Sequence, residues 1–584
     1  MSTVVVDPVT RIEGHLRIEA ETDSRGVITK AFSSGTMMRG IEIILLGRDP
    51  RDAWAFTQRI CGVCTVVHSV ASIRAVENAL DYPIPPNARL IRNILAASQI
   101  GQDQVVHFYQ LSLLDWVDIT SAVKADPVAT SNLQKCVSKW GNNSAGYFEG
   151  VRQKLVKLID SGQLGLFANG YWGHPEYKLP PEMNLMLFAH YLEALGWQRK
   201  VIKMHAVFGG RNPHPNFVVG GVPCAISAAP NATGGGYTLK PGFTAVDANG
   251  LALVKSCMDD MQTFISQVYY PDCVAMAKFY KDWFNKGEGI GNFLTFGDFP
   301  ETDANDPANL FVPRGAIINR DLSAIQAVDL DNPNEIQEYV ANSWYDYSHG
   351  KTAGLHPYDG ETTPSYTGPS ATYENLDNSQ PYSWEKTPRW KGKPMEVGAL
   401  ARVLMLYAKG NVPTRQYLNA ALSELKQPLS SLYSTMGRIV AQSIDTRVIV
   451  ERMLTWYSEL TANIAKGQLA THNAAKFDPK TWPATAKGVG FTEAPRGGLG
   501  HWVNIADGKI ANYQCVVPST WNSSPRDHLG QPSAYEAALV GHALAVADKP
   551  LEILRTIHSF NPCMACAVHL MTPEGQELLS VKVC

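Results

Sequence analysis

Two Cys-x-x-Cys pairs stand near opposite ends of this chain, Cys61-Gly62-Val63-Cys64 and Cys563-Met564-Ala565-Cys566, and a histidine follows each, His68 and His569. Thiolates at i and i+3 in a turn can hold one soft metal ion side by side, so two pairs supply four thiolates. Zinc ribbons set their pairs ~15–20 residues apart, and thioredoxin-type pairs sit in a βαβ context. Neither pattern is present. Spacing leaves two readings open: one four-thiolate site joining both ends, or two unrelated local sites. Cys136, Cys224, Cys257 and Cys273 lie in apolar or mixed sequence and are expected in the core. Taken singly, the carboxylates have bland readings. Glu13, before Gly14-His15, reads as a solvated loop residue, Asp103 as the exposed face of a long helix, and Glu42 as a helix-surface group.

A large framework must position these groups. The 584 residues, 45% of them hydrophobic, are ample for a buried core with more than one region. Charged residues make up 18%, below the usual ~25%, which fits a big interior or a large partner interface. The net charge of −3 gives no electrostatic case for nucleic acid or an anionic membrane surface. Met1-Ser2-Thr3 lacks a basic leader, and no apolar run nears the ~18 residues that span a bilayer. Membrane attachment is therefore expected only through a partner. The ten cysteines are too few for a disulfide framework in a chain this long.

Val4–Val6, Leu16–Ala20 and Val27–Phe32 predict β-strands. Long amphipathic helices are predicted over Asn87–Ala122, Pro181–Phe208, Leu251–Phe284 and Leu429–Lys466, which suggests a bundle with sites between facing helices. From about 287 to 394, Pro, Gly, Asp, Asn and Tyr become frequent; a loop-rich insertion anchored by Trp344, Trp384 and Trp390 is expected. His501–Ile505 and Lys509–Val517 flank Ala506-Asp507-Gly508 and predict a hairpin. The division expected is a β/α region at 1–60, a helix bundle at 61–286, the insertion at 287–395, the bundle again at 396–470, a C-terminal region at 471–569 and a tail at 570–584. The fold class is α+β, mainly helical.

At the level of motifs the chain resembles the large subunits of nickel–iron hydrogenases. The stretches around both cysteine pairs carry the resemblance, as do Asp7-Pro8-Val9-Thr10-Arg11-Ile12-Glu13-Gly14-His15, Phe167-Ala168-Asn169-Gly170-Tyr171-Trp172-Gly173-His174-Pro175, Glu493-Ala494-Pro495-Arg496-Gly497 and Val517-Pro518-Ser519-Thr520-Trp521-Asn522. They run in order from end to end, and the chain is most similar to respiratory, membrane-associated uptake enzymes. The resemblance implies a C-terminal region that returns the second cysteine motif to the first. It implies nickel on Cys61, Cys64, Cys563 and Cys566, with Cys64 and Cys566 bridging to an iron that carries carbon monoxide and cyanide. It implies H2 as substrate, cleaved to protons and electrons. The alternative function on the same fold is an H2-sensing regulatory protein. A zinc-bound structural descendant of the fold should have lost cysteines, and all four are present.

Roles follow from the same resemblance. Cys563 is the favoured proton acceptor, because a guanidinium resists deprotonation. Arg496 binds a cyanide and orients hydrogen; Pro495 and Ser519 lie beside the iron ligands. Glu13 takes the proton from Cys563, Asp103 pairs with Arg496, and His68 supports a bridging thiolate. Glu42, the carbonyl of Cys515 and His569 would hold magnesium, an ion that prefers oxygen ligands. Val63 and Leu111 match positions along a gas passage, though small apolar residues there fit a core equally well.

One position departs from the family pattern: Asn561 stands where relatives have Asp before Pro-Cys. After His569 come Leu570 to Cys584, matching a tail that a maturation endopeptidase removes once nickel-insertion proteins have acted. Sensing relatives usually lack it. Electrons need a way out, so an iron–sulfur small subunit is implied, with a cytochrome b membrane partner beyond it. The expected location is the periplasmic side of the cytoplasmic membrane, peripheral, after export with the small subunit.

Overall fold

The computed structural model describes residues 2–567 apart from 169, 228–236, 241–242, 303–305 and 370–375. The chain opens with an antiparallel sheet, β1 (Ser2–Val6), β2 (Leu16–Thr22) and β3 (Ile28–Gly35), in the order β1-β2-β3. Each strand covers one of the three β-prone runs of the sequence. The first cysteine pair then leads into helix α1 (Val67–Ala79), and Pro85-Pro86 starts α2 (Pro86–Val106). Proline suits that first turn, where its missing N–H has no partner to lose.

The long helical stretches form, but broken. Asn87–Ala122 becomes α2, a widened π-turn at His107–Ser112, a 3-10 turn and a short helix. Pro181–Phe208 splits after α3 (Pro181–Val201). Leu251–Phe284 becomes α4 (Ala248–Phe264), a second π-turn at Ile265–Tyr269 and α5 (Tyr270–Ala277). That wide turn comes just before Pro271, whose ring removes an N–H and crowds the preceding turn. Leu429–Lys466 resolves into a 3-10 turn and the 31-residue α7 (Thr435–Ala465), which follows α6 (Ala399–Ala408). Between 287 and 395 short strands pair locally, such as Ile336–Tyr339 with Thr387–Trp390. Trp344 and Trp390 are buried there, and the half-buried Trp384 packs edge-on against Trp344.

The C-terminal part holds a three-stranded antiparallel sheet, β4 (Thr485–Ala494), β5 (Gly497–Ala506) and β6 (Lys509–Val516). The hairpin of β5 and β6 was expected; β4 was not. It packs along α1, and its glycines make the approach possible. A Cβ on Gly490 would stand 1.9 Å from the carbonyl oxygen of Ala71, and one on Gly488 would stand 2.3 Å from the nitrogen of Ala79. Helices α8 (Pro518–Ser523), α9 (Leu551–Ser559) and α10 (Met564–Ala567) complete the described chain. No described helix is long and apolar enough to cross a membrane.

Because backbone atoms bar a side chain at Gly490, Gly490→Ala should destabilise the fold by about 1–3 kcal/mol or more, the usual cost of overpacking. Thermal melting should show a lower midpoint, whereas Gly150→Ala, whose Cβ would meet nothing within 4 Å, should leave it in place.

Candidate metal centre

Cys61 ends a 3-10 turn (Gln58–Ile60), and Cys64 follows three residues on, before α1 begins. The backbone N–H groups of Val63 and Cys64 donate to the Cys61 sulfur at 3.3 and 3.1 Å, which favours its thiolate. Cys563, 502 residues from Cys61 in sequence, brings its sulfur to 3.4 Å from that of Cys61. The sulfurs of Cys61, Cys64 and Cys563 all lie within 4.8 Å of one another, buried. Of the two readings left open by spacing, the single site joining both ends is the one this geometry favours. Cys566 lies on α10, one turn past Cys563. His569 lies outside the described residues.

The two ends meet through backbone. Glu13 and Cys563 form a parallel bridge, with the Met564 N–H donating to the Glu13 carbonyl at 2.7 Å. Gly14 has φ +84°, and a Cβ there would stand 2.3 Å from the nitrogen of Ala565, so only glycine permits the contact. Glu13 is half-buried rather than solvated. Its carboxylate oxygen Oε2 accepts from the Ala565 N–H at 3.1 Å and lies 3.4 Å from the Cys563 sulfur. Burial, then the neighbouring Cys61 sulfur, pushes its pKa up. The loop is braced from behind: Arg11 pairs with the buried Asp115 at 2.5 Å, and His558 bonds both Asp115 at 2.6 Å and the Thr10 carbonyl at 2.9 Å.

Arg496 and Asp103 face the cluster as a buried pair at 3.0 Å. Asp103 is 1% exposed, not the solvent-facing residue that its helix position suggested. Burial raises its pKa against the pull of Arg496. Burial also acts against the guanidinium, but Asp103 and the sulfurs of Cys563, Cys64 and Cys61 hold its pKa well above the usual range. Its Nε and Nη2 have no partner among the described residues. Asn561 sits beside Asp103, buried, at φ +57°, a left-handed conformation that asparagine tolerates better than most residues.

The Ser519 hydroxyl accepts the Cys563 N–H at 3.0 Å, from the first turn of α8. His68 is buried on α1, its pKa lowered to about 4 by burial, and its Nδ1 lies 3.1 Å from Nε2 of His501. His501 in turn bonds the Tyr513 hydroxyl at 2.8 Å, a link the sequence did not suggest. Val63 and Leu111 are half-buried, and their carbonyls accept from Gln99 and Arg11. Pro495 turns its carbonyl towards Gln104 and Arg402.

Glu42, 8% exposed, is buried rather than on a helix surface. It accepts the Cys515 N–H at 2.9 Å, a Thr362 hydroxyl, and the Lys386 ammonium at 3.1 Å. As placed, this carboxylate is satisfied by a lysine and does not fit a magnesium ion. Among the other cysteines, Cys257 and Cys273 are buried, Cys224 is half-buried, and Cys136 is exposed, contrary to expectation.

Three buried soft donors gathered in one place, under a cationic group, suit a thiophilic metal. The family comparison specifies which: the nickel-dependent hydrogenase family matches residues 39–569, and the chain belongs to it. It is the large subunit of a nickel–iron hydrogenase, an oxidoreductase acting on H2, paired with a small subunit. It is 52% identical to the uptake hydrogenase large subunit of Bradyrhizobium diazoefficiens, covering 99% of this chain and 97% of that protein. It is 50% identical to the hydrogenase-1 large chain of Citrobacter freundii over the same shares. Its fold matches the Ni-Fe-Se hydrogenase of D. vulgaris Hildenborough in the reduced state at a TM-score of 0.74 and 31% identity, over 97% of this chain and 100% of that one. These relatives favour hydrogen uptake over the sensing alternative.

Since a hydroxyl is a poor ligand for a soft metal, Cys61→Ser or Cys563→Ser should abolish nickel incorporation. Elemental analysis of purified variants would show it; full nickel content in either would remove that sulfur from the centre.

Proposed function

We propose that this chain oxidises H2 heterolytically at a nickel–iron centre held by Cys61, Cys64, Cys563 and Cys566, with Cys64 and Cys566 also on the iron. The observation that carries the reading is the convergence of cysteine sulfurs from both ends of the chain within 4.8 Å. When bound, the metals, with carbon monoxide and cyanide on the iron, supply the electron-pair acceptor for the split. The chain's own groups manage the proton and the geometry. Arg496 stays cationic, so it orients and polarises rather than acting as the base. The Cys563 sulfur takes the proton and passes it to Glu13 Oε2 at 3.4 Å, whose raised pKa suits a relay. Asp103 fixes Arg496, Ser519 and Arg496 serve the cyanides, and His68, neutral by burial, supports a bridging sulfur. Val63 and Leu111 line the route of the gas.

The wider setting is also proposed. An iron–sulfur small subunit is the proposed electron exit, in keeping with the small-subunit partner that the family implies. A cytochrome b partner, a peripheral place on the periplasmic side of the membrane, nickel-insertion proteins and an endopeptidase that removes 570–584 complete the reading. Magnesium at Glu42, the Cys515 carbonyl and His569 is proposed only together with a shift of Lys386 off Glu42.

Glu13→Gln keeps shape but cannot carry the proton. Hydrogen–deuterium exchange with solvent should collapse while the infrared bands of the iron ligands persist; unchanged exchange would take Glu13 out of the relay. At Asn561, a carboxylate would give Arg496 a second anionic partner. Asn561→Asp should therefore raise the H2-oxidation rate at unchanged metal content, and a fall in rate would mark this site as tuned differently from its relatives.

A further inference from the structure

Arg496 occupies an awkward place for a group that must be held still. The pairs Glu493–Gly498 and Ala494–Gly497 close the hairpin of β4 and β5, so Pro495 and Arg496 are its two turn residues. A turn tip is ordinarily the loosest part of a hairpin. Here the turn is gripped from outside. Arg402, fully buried within α6, donates Nη1 to the Ala494 carbonyl at 2.7 Å and Nη2 to the Pro495 carbonyl at 3.0 Å. The same guanidinium forks onto Asp445 of α7, Nε to Oδ1 at 3.0 Å and Nη2 to Oδ2 at 2.7 Å, and reaches Glu493 at 3.2 Å.

Gln104 closes the arrangement. It follows Asp103 on α2, and its side-chain amide donates to Asp445 at 3.0 Å and to the Pro495 carbonyl at 3.3 Å. The Thr446 hydroxyl donates to its oxygen and sets which way the amide points. The backbones on either side of the Arg496–Asp103 pair are thus tied to one buried ion cluster. The start of α6 is fitted to the same turn: a Cβ on Gly497, at φ +124°, would stand 2.5 Å from the nitrogen of Gly398. Buried ion pairs add little net stability over well-packed apolar side chains, because desolvation offsets attraction. What they add is direction.

We propose that Arg402, Asp445 and Gln104 form a positioning clamp that fixes the Arg496 guanidinium over the cysteine cluster, with Gln104 coupling that placement to Asp103. The clamp rests on the role given to Arg496 above. Gln104→Met keeps length and helix propensity while removing the amide. It should lower kcat for H2 oxidation about 10-fold, within the reach of a sub-ångström misplacement. KM and nickel content should stay unchanged, and the infrared bands of the iron ligands should shift in the direction seen for Arg496→Lys. The double variant Gln104→Met/Arg496→Lys should turn over no more slowly than Arg496→Lys alone, since no guanidinium remains to be placed. Additive losses, or full turnover and unshifted bands in Gln104→Met, would overturn the clamp. So would loss of nickel in both Gln104→Met and Thr446→Val, which would make Gln104 a general structural group. Normal turnover in Arg496→Lys is a different result: it removes the role of Arg496 itself.

Discussion

Met564 donates its N–H to the carbonyl of Glu13 at 2.7 Å, and that backbone contact joins the first strands of the chain to its last described helix. The rest of the arrangement depends on it. It brings the second cysteine pair beside the first, places the Glu13 carboxylate against the Cys563 sulfur, and is possible only because Gly14 has no side chain. The brace behind it sets the half-buried Arg11 and the buried His558 on the buried Asp115 to hold one loop. Buried charge of this kind is costly unless every group is paired. Its presence marks where position matters more than stability.

The same logic runs through the interior. Arg74 pairs with Asp298, Arg92 with Glu77, Arg389 with Asp527 and Arg438 with Glu396, each nearly or wholly out of water. The low share of charged residues in the sequence therefore coexists with many charges inside. Arg74–Asp298 ties a helix to a strand 224 residues on, and Arg92–Glu77 ties two successive helices together. Apolar packing alone, which lacks direction, would leave such placements less defined.

How much of this could be read beforehand divides by residue type. The meeting of Cys61 and Cys64 with Cys563 was legible through the resemblance of the motifs, since spacing alone left a second reading open. Helix position alone would have left Asp103 and Glu42 facing solvent, because a polar residue on a helix reads so whenever its partner comes from a distant element; the motif resemblance is what set Asp103 beside Arg496. Arg496 for Asp103 and Lys386 for Glu42 are 393 and 344 residues away. β4 was missed since Gly488 and Gly490 interrupt its alternation, yet those gaps admit α1. Periodicity has no access to the π-turn that carries Tyr109 to Asp272, a tertiary contact, whereas the other π-turn stands just before Pro271. Arg402 did leave a trace. A lone arginine inside the apolar run Ala399–Ala408 has no solvent face to occupy.

The joining of the two ends has a consequence for biosynthesis. A chain made from its N-terminus releases Cys61 and Cys64 from the ribosome while Cys563 does not yet exist, and domains generally begin to fold as they emerge. The last described element, α10, packs onto α8, and both three-stranded sheets precede it in the chain. Translation order therefore puts most of the interior ahead of the segment that carries Cys563. Docking of that segment is what brings the Cys563 sulfur to those of Cys61 and Cys64.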